Sequence, residues 1–153
     1  MSEELKPRDP DYMERVESTF QKAKFVHHLG IAYHSAGPGW CEATMPLRDH
    51  HLQQNDVVHG GAVATLADHT AGSAGTTLIA ADEIVLSVGY SISLLRPGSG
   101  DALRCRAEVV RNGRRLIVVQ SDVYARTGDR EKLIARATVT LAVLPNEHLR
   151  NLK

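Results

Sequence analysis

Apolar residues return at two different periods along this chain, and the change of period divides it. Met13, Val16, Phe20 and Ala23 recur at helical spacing with charges between them. They predict an amphipathic helix of about four turns over residues 10–25, with Asp9 as its cap, Pro10 at the first helical position and Gly30 just past its end. Residues 31–47 read as two short strands around Gly37-Pro38-Gly39, and Pro46 ends the second. A polar stretch, RDHHLQQNDVV over 48–58, reads as a loop. Val63, Leu66, Ala67, Thr70 and Ala74 then restore the helical period and predict a second helix over 60–79.

After Asp82 the period becomes two. Ile84, Leu86, Val88, Tyr90, Ile92 and Leu94 alternate with Val85, Ser87, Gly89, Ser91 and Ser93, which predicts one long strand with a bulky face and a small one. Arg96-Pro97-Gly98 closes it. Three more strands follow, at about 101–111, 114–126 and 131–144. Asn112-Gly113 marks a tight hairpin between the first two, and Thr127-Gly128-Asp129 turns the chain into the third. In the third strand Leu133, Ala135, Ala137, Val139, Leu141 and Val143 are expected on one face. Residues 1–8 and 146–153 read as loose ends. Mostly antiparallel strands with one central helix predict a single α+β domain, the sheet packed on that helix. Strands apolar on both faces suggest that a second subunit covers part of the sheet.

Composition adds bounds. The chain has 153 residues, 42% of them hydrophobic and 24% charged, as a soluble globular protein does. No stretch has the length and apolarity of a membrane span, and MSEELKPRDPDY lacks the apolar core of a signal peptide. The expected setting is cytoplasmic, with Cys41 and Cys105 as free thiols. Net charge is zero, so there is no general attraction to nucleic acid or to an anionic membrane, and neither is expected as a partner. Its distribution is uneven: residues 96–136 hold ten basic residues, nine of them Arg, against five acidic ones. They read either as solvated strand faces or as a local site for a phosphorylated ligand.

The chemistry concentrates in residues 59–75, HGGAVATLADHTAGSAG. Asp68 is a lone carboxylate in a helix of small residues, and an unpaired buried charge is costly. Its helical neighbours are Ala64, Thr65, Ala71 and Gly72, which leave room beside it. Gly72 and Gly75 each cost the helix about 1 kcal/mol relative to Ala, so something must come close to that surface. His59-Gly60-Gly61 opens the helix, and a helix N-terminus offers free N–H groups to a developing oxyanion. Asp68 is therefore a candidate catalytic carboxylate and the Gly60-Gly61 backbone its electrophilic partner. His50, His51 and His59 lack the spacing of a metal motif; no metal or redox cofactor is expected.

Taken in order, HGG at 59–61, LAD at 66–68, LLRPGSGDAL at 94–103, RNGRRL at 111–116 and IARATVTLAV at 134–143 resemble the hotdog-fold acyl-CoA thioesterases of the phenylacetic-acid-degradation type, over about residues 30–145. The resemblance implies a sheet wrapped around a central helix and homodimers joined edge to edge, often paired into homotetramers. It implies an active site at the dimer interface, where the Gly60 N–H polarises a thioester carbonyl and Asp68 of the other subunit attacks it or activates water. It puts Gln53, in place of the family's usual Asn, with Asn55 close by, beside the acyl group. Ser87 would assist the carboxylate, and His59 is a candidate either to fix the loop through its ring nitrogens or to transfer a proton. Gly61, Gly113 and the hairpin cations Arg111, Arg114 and Arg115 would meet the substrate, whose coenzyme A portion carries the phosphates. The expected reaction is hydrolysis of aromatic or medium-chain acyl-CoA to free acid and CoA; the alternative is a non-catalytic acyl-CoA binder.

Overall fold

The computed structural model describes residues 4–152. Two helical segments come first, α1 (Tyr12–Lys22) and α2 (Lys24–His28), followed by the strands β1 (Ala32–Gly37) and β2 (Trp40–Pro46). A helical turn at Asp49–His51 leads to α3 (Gly60–Thr76), and then come β3 (Glu83–Leu94), β4 (Ala102–Asn112), β5 (Leu116–Thr127) and β6 (Arg130–Pro145). All six strands form one antiparallel sheet in the order β1-β2-β4-β5-β6-β3. Its concave face holds α3. This is the hotdog fold expected from the sequence.

The core is the seam between helix and sheet. Val63, Leu66, Ala67, Ala71 and Ala74 of α3 are buried against Met45, Leu103, Ile117, Val119, Val139 and Leu141. Each large side chain buried there contributes about 1.5–3 kcal/mol. The small residues let the curved sheet approach the helix closely. Polar groups caught in the seam are paired: Ser121 Oγ donates to Ala67 O at 2.8 Å and Thr70 Oγ1 to Leu66 O at 2.6 Å. Cys41 and Cys105 are free and buried, and that burial pushes both thiols up to about 12.

Several local expectations are corrected. The first helix breaks at Ala23, whose ψ of 96° is extended, so residues 10–25 are not one helix. Asp9 is not its cap: its carboxylate accepts the Asp11 N–H at 2.9 Å and faces Arg15 at 3.5 Å. Arg15 also donates to the carbonyls of Ala80 and Glu83, which ties α1 to the start of β3. The N-terminal segment is held too, by Arg8 on Leu78 O and Glu83; residues 1–3 lie outside the described residues. The tail contains a helical turn, Glu147–Arg150, and the second helix stops at Thr76, three residues early.

The larger corrections concern phase. The β3–β6 register shifts between Ser87 and Gly89, so Val88 is an inserted bulge residue. Before it, Val85 and Ser87 pair with Val143 and Leu141; after it, Tyr90, Ile92 and Leu94 pair with Val139, Ala137 and Ala135 on that same helix-facing side. The unbroken alternation read from the sequence therefore splits between two faces. A second bulge at Ile134 puts Leu133 out of phase in the same way. The Asn112-Gly113 hairpin is real but not a two-residue turn, since three residues separate β4 from β5. Gly113 lacks a positive φ. What requires glycine there is close packing: a Cβ would lie 2.5 Å from Leu116 O. Gly39, at φ +77°, is the residue that needs left-handed freedom, in the β1–β2 turn.

Candidate active site

The loop before α3 is rigid because two histidines hold it. His51 is buried, accepts the Arg48 N–H on Nδ1 at 3.0 Å and donates from Nε2 to Leu29 O at 2.7 Å. Burial lowers its pKa, which suits that neutral tautomer. His51 O then receives the His59 N–H at 2.8 Å. His59 is the N-cap of α3, its Nδ1 accepting the Gly61 N–H at 2.8 Å. Both ring nitrogens of His51 and Nδ1 of His59 are thus engaged, and among the described residues no group of three or more His, Cys, Asp or Glu is placed to hold a metal ion.

That cap separates the two glycines. The Gly61 N–H is taken by His59. The Gly60 N–H has no acceptor among the described residues and lies at the positive end of a 17-residue helix. It borders a cavity of about 340 Å³ lined by Gln53, Val57, Val63, Leu94 and Pro97 among others. Gln53 is thus placed beside Gly60, its Oε1 accepting the Asn55 N–H at 3.0 Å. Asn55 is exposed and stays out of this cavity.

Asp68 lies two turns further along α3, on the helix stripe that the sheet leaves open. Ser87 Oγ donates to Asp68 Oδ1 at 2.6 Å, a short charge-assisted bond across to β3. The Val88 bulge follows directly and changes which residues face the helix beyond it. Asp68 and Ser87 border a second cavity, of about 380 Å³, with Thr19, His69, Gly72 and Thr76. A Cβ on Gly72 would meet nothing within 4 Å, so the helix surface beside Asp68 is open.

His69, next to Asp68 in sequence, also lines this cavity. Its ring packs edge-on against Phe20, centroids 4.5 Å apart. Among the described residues its buried Nε2 has no partner, and burial lowers the pKa while nearby Asp68 raises it. The usable signal was Phe20, at helical spacing in the first helix. Arg111, Gly113, Arg114 and Arg115 are not near either cavity of this chain. They sit at the β4–β5 hairpin, where Arg115 O receives the Val143 N–H at 2.9 Å, beyond the C-terminal end of α3.

A hotdog sheet thus wraps one helix, with an N–H free among the described residues at the helix start and a carboxylate–serine pair two turns on. The thioesterase superfamily profile matches residues 55–132, and the chain belongs to that superfamily. It is 31% identical over 105 residues to the proofreading thioesterase EntH of Cronobacter sakazakii, 69% of this chain and 77% of that one. A thioesterase family protein from Silicibacter pomeroyi has the same fold, with a TM-score of 0.85 and 33% identity over 88% of this chain and 98% of that one. A Bacillus halodurans protein solved with CoA gives a TM-score of 0.64 and 29% identity over 67% of this chain and 66% of its own.

Proposed function

We propose that the protein hydrolyses acyl-CoA thioesters, in the manner of the phenylacetic-acid-degradation type, at active sites built from two chains. One observation carries this reading. The unpaired Gly60 N–H and the Asp68–Ser87 pair lie on one helix, eight residues or about 12 Å apart, each bordering its own cavity. One thioester carbonyl cannot touch both in the same chain.

The edge of the sheet offers a solution. β3 is a twelve-residue edge strand whose Leu86, Val88, Tyr90 and Leu94 are 40–61% exposed. A long apolar edge invites pairing. A Cβ on Gly60 would lie 3.0 Å from Leu94 Cδ1, so Gly60 is level with Leu94, whereas Asp68 is level with Ser87. Antiparallel pairing of two β3 strands about a dyad between Tyr90 and Ser91 sets Leu94 opposite Ser87 of the second copy. Gly60 of one chain then meets Asp68 of the other, twice per dimer. The functional unit is this homodimer, and two dimers pair into a homotetramer.

In that site the Gly60 N–H and the helix dipole stabilise the oxyanion that forms on the carbonyl. Asp68, oriented by Ser87, attacks the acyl carbon or takes a proton from water. The C–S bond breaks, the thiolate is protonated, and one water is consumed per acid and CoA released. A thiolate leaves readily, so the site needs no strong general acid, metal or redox cofactor. The setting is the cytoplasm, where CoA thioesters are made and used.

Complementation tests the assignment. Gly60→Pro and Asp68→Asn chains, each inactive alone, are mixed, dissociated and reassembled. Half of the dimers are mixed and each restores one intact site, so about a quarter of wild-type thiol release returns. No recovery, with mixed dimers confirmed by mass, overturns the two-chain site. A wild-type protein that binds acyl-CoA but hydrolyses none of a broad panel is a binder instead.

A further inference from the structure

We propose that the first helix, α1, is a wall of the acyl pocket, and that Thr19 on α1 and Gly72 on α3 set how bulky an acyl group the protein accepts. This rests on the acyl-CoA reading above and deepens it.

The cavity beside Asp68 is a trough with three sides. α3 gives the floor, with His69, Gly72, Ser73 and Thr76. β3 gives one wall, with Val85, Leu86 and Ser87, and α1 gives the other, with Thr19. Helix and strand run in opposite directions here: Asp68 is bonded to Ser87, and a Cβ on Gly75 would lie 3.8 Å from Val85 Cγ1. The trough therefore leads from the carboxylate toward the C-terminal end of α3. Thr76 is eight residues past Asp68, about 12 Å along the helix. A thioester carbonyl held at Asp68 lays its acyl substituent along this floor.

α1 is a fixed wall. Val16 and Phe20 are buried, and the Phe20 ring packs against His69. Arg15 donates to the carbonyls of Ala80 and Glu83, which ties α1 to the start of β3 beyond the far end of the trough. Thr19 Oγ1 and Ser73 Oγ, 3.5 Å apart, close the gap between α1 and α3. Neither hydroxyl depends on the other, since Thr19 Oγ1 donates to Val16 O at 2.7 Å and Ser73 Oγ to His69 O at 2.9 Å. Thr76 Oγ1 likewise donates to Gly72 O at 2.9 Å. With their protons committed to backbone carbonyls, these hydroxyls limit the space and offer a substrate no donor.

Gly72 keeps the floor low. It lies inside α3 without a positive φ, so the backbone does not require glycine, and glycine is costly there. A Cβ would meet nothing within 4 Å, so packing within the chain does not require it either. Gly75, three residues on, is different, because a Cβ there would run into Leu141 Cδ1. Glycine at 75 admits the sheet; glycine at 72 admits the acyl group.

The test sets stability against specificity. Gly72→Ala should melt about 2–4 °C above wild type, because alanine is the better helix former, yet lose activity on bulky acyl groups. The readout is kcat/KM for the better of phenylacetyl-CoA and octanoyl-CoA divided by kcat/KM for acetyl-CoA. That ratio should fall about 3–10-fold in Gly72→Ala and about 10–100-fold in Gly72→Leu, and rise about 3–10-fold in Thr19→Ala. An unchanged ratio in Gly72→Ala or in Thr19→Ala overturns the proposal. So does a Gly72→Ala chain that no longer dimerises, which would give the open helix surface to the second subunit. Calorimetry with CoA thioethers, which carry no carbonyl, separates this inference from the hydrolytic one. If wild type hydrolyses no thioester yet binds octyl-CoA or phenylethyl-CoA more tightly than ethyl-CoA, and Gly72→Leu loses that preference, the trough stands and the enzyme reading fails. If wild type shows no such preference, the trough assignment is wrong.

Discussion

Gly60→Pro isolates the proposed oxyanion donor. Proline normally disrupts a helix because it lacks an N–H and clashes with the preceding turn. Gly60 is the first residue of α3, where neither cost arises, and its N–H bonds to nothing within the described chain. His59, at φ −62° and ψ 134°, already occupies the region that a residue before proline prefers. The one steric demand is Leu94 Cδ1, 3.0 Å from a new Cβ, and Leu94 is 58% exposed and able to give way. Gly60→Ala makes the same demand but keeps the N–H, so the ratio of the two variants isolates the donor. Stability should agree within about 1 kcal/mol, with proline favoured by the reduced entropy of its unfolded chain. Loss of one oxyanion donor costs about 2.7–4 kcal/mol in the transition state, so kcat should be about 10²–10³ lower for Pro than for Ala. Thiol release measured on the best acyl-CoA, alongside thermal melts, gives both quantities. A ratio under about threefold, with both variants folded and dimeric, would refute the donor role.

Asp68→Asn keeps shape and should leave the oligomer intact while lowering kcat about 10²–10⁴-fold; near-wild-type turnover would show that another group does the chemistry. Ser87→Ala removes a 2.6 Å bond worth about 1–2 kcal/mol, or about 5–30-fold in kcat, and should add nothing in the Asp68→Asn background. Gly75→Ala drives a Cβ into Leu141 Cδ1; overpacking should cost about 1–3 kcal/mol in denaturant melts, and an equally stable variant would mean that Leu141 repacks freely. Burial keeps the folded-state pKa of His69 below its unfolded value of about 6.5. The unfolded chain therefore binds more protons at acid pH, and stability falls as pH drops through about 6.5. His69→Leu should flatten that fall in melts between about pH 7.5 and 5; an unchanged slope would assign it to other groups.

Patterns that report one element at a time were legible in the sequence. The α3 stripe of Val63, Leu66, Ala67 and Ala74, and the alternation of Ile117, Val119, Ser121 and Val123, each describe the burial of a single helix or strand. Both survive because helical and strand periods are local properties of the backbone. Gly60 and Asp68 were legible for a similar reason, since a helix start and a lone acid among small residues are unusual wherever they occur. The bulges at Val88 and Ile134 were not, because an inserted residue is defined against the partner strand, which neighbouring residues do not reveal. Nor was the trough that Thr19 closes against Ser73, whose walls are far apart in the chain and meet only once α1 packs on α3. By itself, the sequence determined most of the elements and the helix–sheet partnership. Tertiary structure alone decided which face each β3 side chain presents, because that depends on register between strands distant in the sequence.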